Sequence, residues 1–344
     1  MLKRNIWVKV LFLITILGFL AACNDSTGGS ESGDDDKVVI RMANQVEESN
    51  FLNQGYVKFK EYIEENSDGQ VSVEIHNGGT VASSDEQIVE LLNNNTIDLS
   101  TSSAYGTAST TGVKGFNLFD MPFLFQDREE FYEFIDGPYG DKLAEEVGES
   151  QNVEVLGYTD LGFYSIMNGN TAIETPEDLN GLRIRSSAAT LHVETLSKLG
   201  ANPTPMDYSE VFTGLQQGTI DGVSTTTPLI YGDRFYEVNK NITLTNHILL
   251  PHVLMVNKDF YNSLSDDIKQ VFDEAVDVYI EESRKLAVEA EQEAVDGLIE
   301  AGVDVVELTP EQLDLFKEAT ETVREENVGE VGEENYEEAL EFLE

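Results

Sequence analysis

Along the first hundred residues the spacing of apolar positions changes from segment to segment, and the changes predict alternating strands and helices. VVIRMA (Val38 to Ala43) is a compact apolar run of strand length. Phe51, Leu52, Tyr56, Phe59 and Ile63 recur at the period of one helix face, up to a turn at Asp68-Gly69. Val71, Val73 and Ile75 alternate with Ser72, Glu74 and His76, the pattern of a half-buried strand. Ser84 to Gln87 has the spacing of a capping box and opens a helix through about Asn94, after which IDLST returns to strand. Strand, helix, strand, helix, strand predicts an α/β unit with parallel pairing.

The same grammar recurs after residue 150. VEVLGYTD and GFYSIMN read as strands, Thr175-Pro176-Glu177-Asp178 as an N-cap with proline at the first helical position, and LRIR as a strand. A helix follows from about Thr190 to Leu199, then another from Tyr208 to Gln217, with Asp207 and Glu210 as its capping pair and Gly218 as its stop. Two such units predict two lobes, without a detectable repeat between them. From Asp266 to about Ala301 there is no proline and only Gly297, and Ile268, Phe272, Ala275, Val276, Tyr279 and Ile280 keep one apolar stripe. A helix of that length spans about 50 Å, enough to lie across both lobes. Thr309-Pro310-Glu311-Gln312 caps a last helix, with a further short one in the acidic tail to Glu344.

Charge narrows the function. Against 21 Lys and Arg stand 65 Asp and Glu in 344 residues, a formal net charge of -44, so the surface repels phosphate backbones and nucleic acid is excluded as a partner. The N-terminus does not belong to the fold. Lys3, Arg4 and Lys9 precede the apolar run Leu11 to Ala22, which is too short for a spanning helix and has the make-up of a signal peptide. It ends in Leu20-Ala21-Ala22-Cys23, which resembles a bacterial lipobox. Cys23 is the only cysteine, so it has no disulfide partner, and acylation there would hold the protein on a membrane. Asn24 to Asp36, rich in Gly, Ser and Asp, reads as a flexible tether.

Catalytic apparatus is not recognisable. The four histidines, His76, His192, His247 and His252, form no metal-binding pair, and there is neither a nucleophile elbow nor a phosphate loop. His247 and His252 flank ILLP and read as structural. No cofactor or metal is called for. Arg183 and Arg185 share a strand face in LRIR, and such a pair taken alone serves nearby acids on an exposed strand.

The wider context of those arginines carries more. PEDLNGLRIRSSAATLHVETLSKLGANPTPMDYSEVFTGLQQGTIDG (Pro176 to Gly222), FYEVNKNITLTNH (Phe235 to His247) and LSDDIKQVFDEA (Leu264 to Ala275) resemble the DctP-like substrate-binding proteins of tripartite ATP-independent (TRAP) transporters. NGGTVASSDEQIVELLNNNTIDLST and FDMPFLFQDREEFYEFIDGPYGDKL extend the likeness over nearly all of the chain past the signal segment.

The resemblance implies an α/β, two-lobed, periplasmic-binding-protein-like (type II-like) clamp with a long helix spanning both lobes. On that basis the chain divides into a signal peptide 1–23, a linker 24–36, a first lobe of 37–160 plus about 250–290, and a second of 161–249 plus about 291–344. It implies that Arg185 grips the carboxylate of an organic acid, while Arg183 is a surface charge. Two positions depart from the family pattern. Tyr164 stands where a second arginine is common, in Gly162-Phe163-Tyr164, and Thr225 where an asparagine is common. Losing the second arginine argues for a monocarboxylate, with Tyr164, Thr225 and Thr226 offering hydroxyls or an aromatic wall, or else serving only strand packing. Asn44, after the first strand, and Phe212, on the capped helix, complete the candidate ligand contacts. The expected partners are the small and large TRAP membrane subunits, and the expected place is the outer face of the cytoplasmic membrane, anchored through Cys23. A sensory receptor, an ABC-type solute receptor and a lipid-anchored enzyme are the alternatives.

Overall fold

A computed structural model describes residues 37–169 and 171–343; the signal segment, Cys23 and the linker 24–36 lie outside the described residues. The first stretch runs β1 (Val38–Ala43), α1 (Phe51–Asn66), β2 (Val71–His76), α2 (Asp85–Asn93), β3 (Leu99–Ser103), α3 (Ala104–Thr111), α4 (Arg128–Ile135) and α5 (Pro138–Ser150). Then come β4 (Val153–Asn168), β5 (Arg183–Ser186), α6 (Thr190–Lys198), β6 (Asn202–Pro205), α7 (Val211–Gln217), β7 (Gly222–Thr226), α8 (Thr227–Gly232), β8 (Asn241–Leu244) and β9 (Leu249–Asn257). The chain ends with α9 (Lys258–Ser263), α10 (Asp266–Glu300), β10 (Asp304–Glu307), α11 (Pro310–Glu326), α12 (Val328–Val331) and α13 (Glu333–Leu343).

β1 and β2 pair in parallel across α1, whose Tyr56, Phe59 and Ile63 are fully buried, so the helical stripe in the sequence is the face that meets this sheet. Parallel pairing was expected to continue into β3. Instead β3 pairs antiparallel with β9, with Leu99 opposite Val256, because the chain returns from the second lobe to complete the first. The second lobe is built on strands in the order β10-β8-β4-β7-β5-β6.

β4 is one strand of 16 residues where the sequence predicted two. Val153 to Phe163 pair with β9, and Tyr164 to Asn168 pair with β7. The register shifts between Asp160 and Phe163, where Gly162 has φ 97°, a conformation that a Cβ would strain. Gly162 is therefore where the chain passes from one sheet to the other, and Tyr164 stands just beyond that handover.

α10 braces both lobes. Its first half buries Ile268, Phe272, Ala275 and Tyr279 with the α1–β1–β2 core, and Leu298 near its end joins the second-lobe core with Ile230 and Phe235. Gly297 is the single glycine because a Cβ there would lie 2.3 Å from the Tyr231 ring of α8. The tail packs against α4 and α5. Val331 and Ala339 join the first-lobe core, Phe342 packs on Phe134 with centroids 5.0 Å apart, and Glu338 pairs with Lys142 at 3.0 Å. The apolar faces of α12 and α13 find their partner there.

Caps were legible in kind more than in detail. Thr309 and Gln312 form the predicted box. At α2, Ser84 Oγ accepts from the Gln87 N–H at 3.4 Å, but Gln87 Oε1 accepts from Ser83 N–H, one residue early. Pro176–Leu179 is a single 3-10 turn, and Tyr208–Glu210 is another ahead of α7, with no capping bond from Asp207. Among the described residues no helix is long and apolar enough to cross a membrane.

Candidate functional site

A cavity of about 370 Å³ opens where the two lobes meet, lined by residues from β1's following loop, α2, β3, β4, β5, α6, β7 and β9. That is within the range of small-ligand sites. Beside it an apolar cluster joins Val46 and Leu52 of the first lobe to Leu229 of α8 in the second, with Leu161 and Tyr164 of the connecting strand between them.

Arg185 lies in its wall with 5% of its surface exposed. Strand β5 alternates Arg183 outward, Ile184 into the core of the second lobe and Arg185 into the covered region. Nε and Nη2 of Arg185 donate to the Met206 carbonyl at 3.0 and 2.8 Å, and the guanidinium sits 5.6 Å from the centre of the Tyr208 ring. Among the described residues no carboxylate forms an ion pair with it. Burial lowers its pKa, with the neighbouring Tyr164 and Tyr208 working against that shift. A buried cation that lacks a fixed counter-ion is costly, and an anion entering the cavity would relieve that cost.

A second layer holds the arginine. The Tyr208 hydroxyl donates to Asp233, whose Oδ1 also accepts from Asn50 Nδ2 at 3.4 Å. Burial pushes the Asp233 carboxyl up to about 6, against the hydrogen bonds from Tyr208 and Asn50. Arg183, by contrast, faces solvent and is bound bidentately to Asp221, at 2.9 and 2.7 Å, and to the Gly218 carbonyl at 2.9 Å.

The other candidates divide. Tyr164 and Thr225 line the cavity, 4% and 1% exposed, and neither hydroxyl has a hydrogen-bond partner among the described residues. Burial raises the Tyr164 phenol well above its ordinary pKa, so it remains a neutral hydroxyl. Asn44 also lines the cavity, but its amide is engaged by the fold, with Nδ2 donating to Asn77 Oδ1 at 2.7 Å and Oδ1 accepting from Val46 N–H at 3.1 Å. Phe212 and Thr226 are off the cavity wall. Phe212 packs towards Phe235 in the second-lobe core, centroids 6.5 Å apart, because the helix turns its apolar side inward. Thr226 ends β7 with its hydroxyl buried and unbonded among the described residues.

Gln45 follows the first strand beside Asn44, where a loop can reach the cleft, but the other further residues of the wall had no ligand signal in the sequence. Gln45, Asp85, Ser187, His192, Tyr208 and His252 all line the cavity. His252, expected to be structural, faces the cavity, whereas His247 is a packed histidine, bonded to Thr245 Oγ1 at 2.7 Å and Ser224 Oγ at 3.2 Å. His192 stands between Ser187 Oγ at 2.5 Å from Nδ1 and Asp120 Oδ1 at 3.0 Å from Nε2. His192 Nε2 makes no hydrogen bond to Asp120 despite that distance, and Ser187 Oγ, paired with Nδ1, also accepts from the Ala189 N–H at 3.3 Å. Only the meeting of residues 120, 187 and 192 in space makes this chain of contacts.

A two-lobed α/β clamp with a cavity between its lobes is the architecture of an extracellular solute-binding protein. The model of bacterial extracellular solute-binding protein family 7, DctP, matches residues 42–329, and the chain belongs to that family. It is 29% identical over 298 residues to the 2,3-diketo-L-gulonate-binding periplasmic protein YiaO of Escherichia coli K12, covering 87% of each chain. Two solved structures superpose closely. The sugar acid binding protein DctPAm of Advenella mimigardefordensis, in complex with galactonate, gives TM-score 0.85 at 28% identity, covering 90% of this chain and 98% of the other. A TRAP periplasmic solute-binding protein of Shewanella oneidensis with bound succinate gives 0.83 at 28% identity, covering 90% and 100%.

Proposed function

We propose that the protein is an extracytoplasmic receptor that takes a small organic acid onto Arg185, closes its lobes over it and delivers it to the small and large membrane subunits of a TRAP transporter. The observation that carries this reading is the Arg185 guanidinium, 5% exposed and without an acidic partner among the described residues, in the wall of the cavity between the lobes. A carboxylate can accept two parallel bonds from a guanidinium, and such charge-assisted bonds strengthen once water is excluded. Contact with both lobes gives the ligand its differential affinity for the closed state. The relatives support an acid as ligand.

The finer reading is of a monocarboxylate. Arg185 is the only Lys or Arg among the lining residues, so a second carboxylate would lack a cation of its own. We take the first lobe as 37–160 with about 250–290 and with the tail that packs on it, and the second as 161–249 with the intervening part of the C-terminal region. Cys23, alone in the chain and at the end of the lipobox-like stretch, would anchor the receptor on the outer face of the cytoplasmic membrane. Mass spectrometry of the membrane-extracted protein would detect or refute the acyl chains.

The central test is a dye-based thermal-shift screen of the purified protein against carboxylic acids. A ligand at 100 times its Kd adds about 2.7 kcal/mol of stability, which is readily seen. One acid should raise the melting point and be recovered unchanged. Turnover of the acid would instead make the Ser187–His192–Asp120 chain an enzyme's, and the absence of any shift would end the carboxylate reading.

A further inference from the structure

The cavity has a second pole. Asp85 is the first helical residue of α2, where the helix N-terminus favours a carboxylate, and it lines the same cavity as Arg185. Gln45 Nε2 donates to Asp85 Oδ1 at 2.6 Å, and Oδ2 accepts nothing from the described residues. No Lys, Arg or His forms an ion pair with it among them. Its position is fixed by close packing, since a Cβ on Gly106 would fall 2.3 Å from Asp85 Cβ.

Arg185 attracts Asp85 across the cavity without an ion-pair contact, and the other groups facing Asp85 do not neutralise it. His252, on β9, is held below its ordinary pKa by burial, so it is uncharged at neutral pH. Tyr164 on β4 is a neutral phenol. Glu86 beside it, and Asp207 and Glu210 on the opposite rim, add negative charge. The Tyr164 and Thr225 hydroxyls, unbonded among the described residues, lie in the same cavity and can serve either sense. The site is thus polarised, with one donor-rich end at Arg185 and acceptors on the Asp85 side.

Resting on the reading of Arg185 as the carboxylate grip, we infer that Asp85 is a specificity-determining residue, and that the acid this receptor takes carries hydrogen-bond donors, as hydroxyls or an ammonium group, on its end remote from the carboxylate. A dicarboxylate gripped by Arg185 would present its second anion to Asp85 at low local dielectric, where like charges repel strongly. A plain alkyl acid would leave Asp85 Oδ2 without a donor once the ligand has displaced water from the cavity, which is also unfavourable.

Titration calorimetry on the whole protein separates these cases with four probes: gluconate, 4-aminobutyrate, butyrate and succinate. The wild type should prefer gluconate or 4-aminobutyrate to butyrate and succinate, and which of the two wins distinguishes hydroxyl from ammonium recognition. Asp85→Asn, which keeps the size of the side chain, should weaken the preferred acid by about ten- to a hundredfold, the range of one charge-assisted bond, and narrow the gap to succinate. Asp85→Ser, which keeps an acceptor at the start of α2, serves as the second variant should the first fold poorly. If the wild type takes succinate as well as the donor-bearing acids, or both variants leave the order of the probes unchanged while Arg185→Ala still removes binding, the inference on Asp85 falls and the receptor reading stands. If Arg185→Ala binds every probe as the wild type does, the carboxylate grip falls and the inference with it.

Discussion

Arg183 and Arg185 stand two residues apart on one short strand, and their surroundings could hardly differ more. Arg183 is in water, and Asp221 and the Gly218 carbonyl answer it with three hydrogen bonds. Arg185 is enclosed, leaning on the Met206 carbonyl and the Tyr208 ring, with no acid against it. The exposed cation ties the start of β5 to the turn before β7, and its charge is already met. The enclosed one is held in place by dipoles and an aromatic face that orient it without neutralising it. What separates a structural arginine from a receptive one here is the partner that remote parts of the chain bring, or withhold.

The largest test of that contrast removes the receptive arginine. Arg185→Met should abolish the ligand-induced rise in melting point, since a bidentate grip is worth about 3 to 6 kcal/mol at 1.5 to 3 per charge-assisted bond. The same variant should leave the empty protein as stable as its parent or more so, because a buried cation without a counter-ion has been replaced by an apolar side chain of similar reach. A parent-like ligand response, or an empty variant that melts far below the parent, would make Arg185 a structural residue like its neighbour.

Next in size is the support behind it. Asp233 has its folded pKa raised by burial to about 6, above the unfolded value of about 3.9. The stability this adds is complete below about pH 4 and is lost as pH rises through 6. His247 acts in the opposite sense. Burial lowers it to about 3, so its contribution is complete above about pH 6.5 and is lost as pH falls. Between pH 4 and 6 the two slopes oppose each other. Asp233→Asn removes one of them, so on acidification from pH 6 to 4 the variant should lose roughly 2 to 3 kcal/mol relative to the parent. Melting points at pH 4, 5 and 6 measure it, and parallel curves would show that burial does not hold the Asp233 proton.

A smaller effect is expected at Thr225, whose hydroxyl has no partner among the described residues. Thr225→Val should weaken the ligand by about 0.5 to 1.5 kcal/mol, one ordinary hydrogen bond, with little change in the empty protein. An unchanged affinity would return Thr225 to plain strand packing.

How much of this could be read from the residues follows from the range of each interaction. The stripe of α1, the alternation of β2 and the uninterrupted run of α10 are local patterns, and each became the element it predicted. β3 was placed as a strand but given the wrong neighbour, because β9 lies some 150 residues further along and no local pattern names it. In the site, Arg185 stood in a motif that could be quoted, whereas Asp85 looked like any acid after a cap, and Tyr208 like an ordinary residue at the start of a helix. Their meaning depends on Gln45, Asp233 and Asn50 arriving from elsewhere. Phe212, whose helical spacing with Leu215 read as core by default and whose ring would also suit the cleft, lies half-buried against the second-lobe core.

The smallest expected effect belongs to the other arginine, and it closes the comparison. Arg183→Ala removes an exposed ion pair, of which solvent and salt screen the greater part. Asp221, which that pairing holds below its ordinary pKa, stays in reach of water once freed and suffers no desolvation. The variant should therefore melt slightly below the parent at low salt and together with it at high salt, and bind the same acid with the same affinity. Calorimetry beside Arg185→Met gives the sharpest form of the contrast. A loss of affinity at Arg183→Ala would mean that the outer pair sets the position of β5, and so that the two arginines are coupled through the strand they share.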